Sequence, residues 1–229
     1  MTRHKDREFG QNLFARLEEI TAVTAPHRPD FSYQRQLEAQ RGRELRKMKK
    51  FRFQLLHRWL TEHFAPCRVA DIAGGKGLLA HLLQQSGWQA TVIDPTYQPL
   101  PGKYKDIATG ERVRLAAADT VQYLDKPFSR DMAASFDLLI GMHAHGCNVA
   151  IIDAAAATGC GFVLFPCCVI DEPLIPPPGV HWLESLADYA VQKGRAVAPF
   201  QLNFKGQNIG LYDAGNLQVK HEADFSAVA

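Results

Sequence analysis

From Arg68 to Leu83 a short apolar run ending in Asp71-Ile72 meets Ala73-Gly74-Gly75-Lys76-Gly77 and then Leu78-Leu79-Ala80-His81-Leu82-Leu83. A strand, a glycine turn and a helix in immediate succession permit few folds. Glycine is required where a side chain would hold a ligand off the backbone, or where the turn needs positive φ. The first turn of the following helix offers free N–H groups and a favourable dipole to a carboxylate or phosphate. The turn alone does not choose the ligand, because Gly75-Lys76-Gly77-Leu78-Leu79-Ala80 also satisfies the dinucleotide pattern G-x-G-x-x-A. A turn that only packs the helix on the sheet fits the same residues.

Downstream, short apolar runs alternate with helical segments, the pattern of a mostly parallel sheet with crossover helices. Strands are expected over 68–72, 89–93, 113–116, 136–142 and 161–165, with helices over 78–86, 149–157 and 180–193. The connection 95–110 is rich in Pro and Gly and supports no second full helix. Two closing strands, 196–202 and 208–212, flank Asn203-Phe204-Lys205-Gly206, so the sheet ends in a hairpin with an antiparallel last strand.

The 229 residues hold one such domain and a short appendage. We divide the chain into a partly flexible N-terminal segment 1–30 with a short helix over 12–20, a basic amphipathic helical extension 31–66, a ligand-binding domain 67–215 and a tail 216–229. The net charge of +2 conceals an asymmetry: residues 1–68 hold 15 Lys/Arg against 8 Asp/Glu, and the remainder 11 against 16. The basic excess is concentrated between Arg35 and Arg58, in Arg41, Arg43, Arg46, Lys47, Lys49, Lys50 and Arg52. Rows of Lys and Arg supply sequence-independent phosphate affinity, so RNA is an expected partner through residues 35–58; a solvated basic face is the alternative. The 154–168 apolar stretch is broken by Thr158-Gly159 and Gly161, and no apolar core follows the charged N-terminus, so neither membrane nor secretion is expected and the default location is cytoplasmic. Five cysteines, two of them adjacent, suit reduced thiols.

Acidic residues favour S-adenosylmethionine as the ligand. Asp71 opens the turn, where its carboxylate can help position the methionine part. Asp94, at the end of the second strand and followed by Pro95, can accept hydrogen bonds from two ribose hydroxyls. Asp119 is expected after the third strand, either on the adenine amino group or as the N-cap of a short helix from Thr120. Within these 229 residues no substrate domain of the kind a dehydrogenase adds is expected.

Two further segments meet at the carboxyl ends of neighbouring strands, where open α/β sheets bind ligands. One is Gly141-Met142-His143-Ala144-His145-Gly146-Cys147, the other Pro166-Cys167-Cys168-Val169. His143 suits a general base or an orienting group. Cys167 or Cys168 suits a nucleophile toward a pyrimidine ring. The same histidines and cysteines are zinc-ligand types, but without C-x-x-C spacing and with adjacent cysteines no metal site is expected. Small thiols packing a tight turn remain the plain alternative.

Taken together, Asp71 to Gly77, Val92-Ile93-Asp94-Pro95, Gly141-Met142-His143, Phe165-Pro166-Cys167-Cys168-Val169 and Phe204-Lys205-Gly206-Gln207-Asn208-Ile209 resemble the class I S-adenosylmethionine-dependent methyltransferases. In particular they resemble a methyltransferase-domain family of fungi, plants and algae. More distantly, the His after the fourth strand and the Cys-Cys after the fifth are similar to tRNA 2′-O-methyltransferases with a Cys-Cys-His signature. Ala144-His145 and Val169-Ile170 depart from that signature, and Ala73 replaces the first glycine of the commonest turn. The resemblance implies a Rossmann-like seven-stranded sheet and a cofactor site formed by Asp71, Ala73, Gly74, Gly75, Lys76, Gly77, Asp94, Pro95, Asp119, Gly141 and Met142. It implies catalytic roles for His143, Cys167 and Cys168. The acceptor it suggests is RNA; a small molecule or a protein side chain, or a cofactor-binding protein without turnover, stays open.

Overall fold

The computed structural model describes residues 2–24 and 49–220, with side chains from residue 12 onward. The Arg35–Lys47 part of the basic stretch lies outside the described residues. Seven strands form one sheet: β1 (Arg68–Ile72), β2 (Gln89–Asp94), β5 (Gln122–Asp125), β6 (Leu138–Met142), β7 (Gly161–Phe165), β8 (Ala198–Gln201) and β9 (Ile209–Asp213). Their order is β5-β2-β1-β6-β7-β9-β8. The first five run parallel, and β9 is antiparallel to both β7 and β8. This is the Rossmann-like, mostly parallel seven-stranded sheet with an antiparallel last strand that the alternating pattern and closing hairpin led us to expect.

The alternation of strand side chains divides the core into two layers. In β7, Phe162 and Leu164 face one layer and Val163 and Phe165 the other. The first layer carries α1 (Thr2–Thr21), α4 (Asn148–Thr158) and α5 (Trp182–Gln192); the second carries α2 (Arg52–His63) and α3 (Leu78–Gln85).

Three expectations need correction. The strand expected over 113–116 is not in the main sheet. Arg112–Arg114 (β4) pairs antiparallel with Lys103–Lys105 (β3) in a separate hairpin, and β5 takes the sheet position beside β2. Val113 is a single apolar residue between two arginines, whereas β5 turns Leu124 to one core layer and Tyr123 to the other. The N-terminal helix extends well beyond 12–20, and Leu13, Phe14 and Leu17 are buried in the first core layer, with Arg16 Nε 2.6 Å from Glu184 Oε1 on α5.

The described part of the basic extension, α2, belongs to the domain core. Trp59 stacks on Phe200 with centroids 4.1 Å apart and meets Tyr212 edge-on at 5.2 Å. The tail's first residues close over the end of α2: Lys220 N donates to His63 O at 2.8 Å, and Phe64 bridges to Val219. Because Trp59 is only 2% exposed, Trp59→Ala is expected to cost about 3–5 kcal/mol in urea unfolding. An unchanged midpoint would mean that α2 is an appendage after all.

Candidate functional site

The turn between β1 and α3 is built by close approach. Ala73, Gly75 and Gly77 adopt φ of 52°, 56° and 70°, a region that costs Ala73 strain and the glycines little. A Cβ on Gly77 would meet Val121 Cγ2 at 2.9 Å and Val92 Cγ2 at 3.0 Å. One on Gly74 would stand 2.5 Å from Asp71 Oδ2. Lys76 is exposed, so the residue between the two left-handed glycines points outward.

Asp71 is 1% exposed and lies under this turn rather than at its mouth. Its carboxyl lies near the Ala80 N–H in the first turn of α3, which favours the charged form, and its Oδ2 has no partner among the described residues. Burial pushes this carboxyl up to about 7, with the nearby Asp94 adding to the shift. Asp71 therefore lies beneath the turn with one carboxyl oxygen unpaired among the described residues.

Asp94 closes β2 beside the turn. Its Oδ2 accepts Gly75 N at 3.1 Å and its Oδ1 accepts Thr96 N at 2.9 Å. Each oxygen keeps a further lone pair for a hydroxyl donor. Pro95 is exposed in the bend that follows. The Tyr123 hydroxyl donates to Thr96 O at 2.7 Å and lies 3.3 Å from Gly75 O, tying the two loops together.

Asp119 falls at the wrong end of its strand. It precedes β5, its Oδ2 accepts Ala116 N at 2.7 Å, and no helix begins at Thr120. The register instead places Asp125 opposite Asp94 at the carboxyl end of the sheet, where its Oδ1 accepts Tyr97 N at 3.2 Å. The third sheet strand lies nine residues later than the 113–116 read from the sequence, which is why Asp125 rather than Asp119 stands at this edge.

On the other side of β1, Gly141 is bare because a Cβ there would meet Ile151 Cδ1 at 2.9 Å and Leu164 Cδ2 at 3.0 Å; Met142 is buried beside it. His143 turns left-handed, φ 62°, and its N–H donates to Phe165 O at 3.2 Å. Its ring meets Phe204 edge-on, and Nε2 is buried with no partner among the described residues. Desolvation, then the cations Arg52 and Lys49, lower its pKa to about 4, so the ring is neutral at pH 7. A neutral ring with so low a pKa orients a bound hydroxyl better than it removes a proton.

His145, Cys167 and Cys168 come together above the ends of β6 and β7. Cys167 Sγ lies 3.2 Å from His145 Nε2 and 3.7 Å from Cys168 Sγ. Burial and Cys168 raise the Cys167 thiol to about 11, which leaves it protonated and a poor nucleophile at neutral pH. Glu172 holds the two loops together, a role that nothing in the sequence pattern signalled. Its Oε1 accepts Asn148 N at 2.8 Å and Asn148 Nδ2 at 2.6 Å, and its Oε2 accepts Val149 N at 3.1 Å, so the loop after β7 caps α4.

Residues 49–54 lie over this edge. Gln54, buried, donates to Lys105 O and accepts from Ile107 N, both at 2.8 Å, and so fastens the β3–β4 hairpin to α2. A cleft of about 490 Å³ lined by Cys67, Arg68, Asp137 and Thr158 opens at the opposite, amino-terminal edge of the sheet, away from the glycine turn. Among the described residues, no helix is long and apolar enough to cross a membrane.

No protein-family model matches the chain, and no curated protein matches it in sequence. Among solved structures it is similar to monomeric WbdD, with a TM-score of 0.38 and 12% identity over 71% of this chain and 39% of WbdD. The chain thus spans about two fifths of WbdD's length. It is also similar to CalO1, a methyltransferase in calicheamicin biosynthesis in its SAH-bound form, with a TM-score of 0.40 and 14% identity over 90% of this chain and 70% of that one. A third is the Burkholderia thailandensis 1,6-didemethyltoxoflavin-N1-methyltransferase with bound 1,6-didemethyltoxoflavin and S-adenosylhomocysteine, with a TM-score of 0.40 and 12% identity over 90% of both chains.

Two outcomes follow from the site. Between about pH 4 and pH 7 the unfolded chain has released the Asp71 proton while the folded chain retains it, so this group lowers stability as pH rises through that window. The stability of wild type relative to Asp71→Asn, from urea midpoints, is expected to fall across the window and level off above it; a constant difference contradicts the buried carboxyl. Glu172→Ala leaves buried N–H groups at Asn148 and Val149 without their acceptor and is expected to cost on the order of 2 kcal/mol in thermal unfolding.

Proposed function

We propose that the chain is an S-adenosylmethionine-dependent methyltransferase whose cofactor lies on the 73–77 turn. The observation that carries the reading is the Asp94 carboxylate, held by Gly75 N and Thr96 N at the carboxyl edge of a sheet that closes with antiparallel β9. The donor and acceptor sets fit the cofactor. Gly75 has nothing nearer than Gln98 Nε2, 3.8 Å from where its Cβ would be, so the backbone is open to a ligand. Asp94 has lone pairs for the ribose hydroxyls, and Asp125 stands one strand over for the base. The bound cofactor would supply a methyl group on a sulfonium, an electrophile that a well-aligned nucleophile displaces in line.

The residues of this chain then have distinct tasks. Gly74, Gly75 and Gly77 let the backbone approach, Asp71 fixes the start of α3 beneath them, and Gly141-Met142 form the wall on the β6 side. His143 orients the acceptor through its unpartnered Nε2. As acceptor we propose RNA. Lys49 and Arg52 act on His143 from the start of α2, and the sequence places Arg41, Arg43, Arg46 and Lys47 directly before them.

Calorimetric titration with S-adenosylhomocysteine tests the cofactor. Asp94→Ala is expected to weaken binding at least tenfold, a loss of about 1.4 kcal/mol, whereas Asp119→Ala leaves it unchanged. Equal effects of the two substitutions would contradict the site. For the acceptor, methyl label from S-adenosylmethionine is expected in the RNA fraction of a cell extract and to decline as salt rises. Label confined to protein or metabolites would overturn the RNA assignment and leave the cofactor assignment standing.

A further inference from the structure

We infer that His145, Cys167 and Cys168 form a metal site for a zinc-class ion, with three protein ligands and one open coordination position. The reading takes nothing from the cofactor assignment. Each residue offers one donor atom, and the three donors lie within 4.8 Å of one another. Their spacing is that of a tetrahedral face. With metal–sulfur distances of about 2.3 Å and metal–nitrogen distances of about 2.0–2.1 Å, tetrahedral angles separate two sulfurs by about 3.8 Å and a nitrogen from a sulfur by about 3.6 Å. Cys167 Sγ and Cys168 Sγ are 3.7 Å apart; His145 Nε2 is 3.2 Å from the first and 4.0 Å from the second, and Nδ1 is 3.5 Å from the second, so a rotation of this exposed ring aims one nitrogen at the ion. The adjacency of the cysteines, which argued against a metal in the sequence, is met by a backbone that turns both sulfurs to one side.

The scaffold holds these donors in place without the ion. Glu172 binds the loop after β7 to the start of α4, immediately after the loop that carries His145. Gly146, at φ 68°, passes so near Asp171 that a Cβ would come within 3.0 Å of the Asp171 Cβ. Two thiolates and an imidazole are soft to borderline donors, which suits zinc or cobalt and excludes magnesium or calcium as the resident ion. His145 and Cys167 are exposed, so the fourth position opens to solvent and takes water or an exchangeable ligand, the arrangement of catalytic rather than closed structural zinc. Both thiols release their protons to the buffer as the ion binds.

Cobalt(II) added to the full chain, kept reduced with a phosphine, is the probe. One equivalent is expected to give thiolate-to-cobalt charge-transfer absorption with tetrahedral d–d bands, displaced by zinc and untouched by excess magnesium. Cys167→Ser, Cys168→Ser and His145→Ala should each lower cobalt affinity more than tenfold, while Cys147→Ser and Cys160→Ser keep it. Circular dichroism of each variant separates loss of the site from loss of fold, since the ligands sit in loops outside the core. Absence of thiolate charge transfer in the folded wild type, or its retention in the Cys167→Ser/Cys168→Ser double variant, would overturn the site.

Discussion

The structure depends on the contact between the 73–77 turn and the groups directly beneath it. A Cβ on Gly74 would collide with the Asp71 carboxyl, and one on Gly77 with Val92 and Val121. Because neither exists, the backbone settles onto β1 and β2, and Ala73 N reaches Ile93 O at 2.8 Å. Asp71 then meets the first turn of α3, and Gly75 N meets Asp94. One close approach therefore fixes the angle of α3, the exposure of the glycine backbone and the position of the carboxylate beside it. The cost is a buried carboxyl whose pKa is raised to about 7, together with a left-handed alanine.

The opposite half of the carboxyl edge follows a similar logic with different groups. His143 leaves β6 left-handed and is held by the Phe165 carbonyl, while Glu172 returns from beyond β7 to cap α4. These bonds bring His145 over Cys167 and Cys168. Burial keeps His143 neutral, and cations at and just before the start of α2 add to the effect. The edge thus has an acidic, hydroxyl-accepting side at Asp94 and Asp125, and a side of soft donors and cations around His143.

Much of this was legible in the residues. The turn, β1, β2, β6 and β7 were readable because short apolar runs ended at glycine, Asp94 or His143, and the closing hairpin announced itself through Asn203 to Gly206. The third sheet strand was not. Val113 and Leu115 alternate with polar residues much as Val121 and Tyr123 do, and what sets β5 apart is that Leu124 and Tyr123 reach both core layers once it pairs with β2. The carboxyl-edge position expected for Asp119 is therefore held by Asp125. Glu172 was hidden because a cap delivered from a distant loop leaves no local spacing. Trp59 looked like one apolar face among basic residues, and its stacking on Phe200 depends on a contact some 140 residues away in sequence. The three-donor cluster was visible as residue types but not as geometry, since adjacency in sequence does not determine which way two sulfurs point.

The most direct test of the cofactor site is to follow the backbone amides of isotopically labelled protein by NMR as S-adenosylhomocysteine is added. Saturable shifts centred on Ala73 to Gly77 and on Asp94 to Thr96, with no comparable response to NAD, are the result expected. Shifts confined to the Cys67–Arg68 cleft at the amino-terminal edge, or an equal response to NAD, would contradict the account.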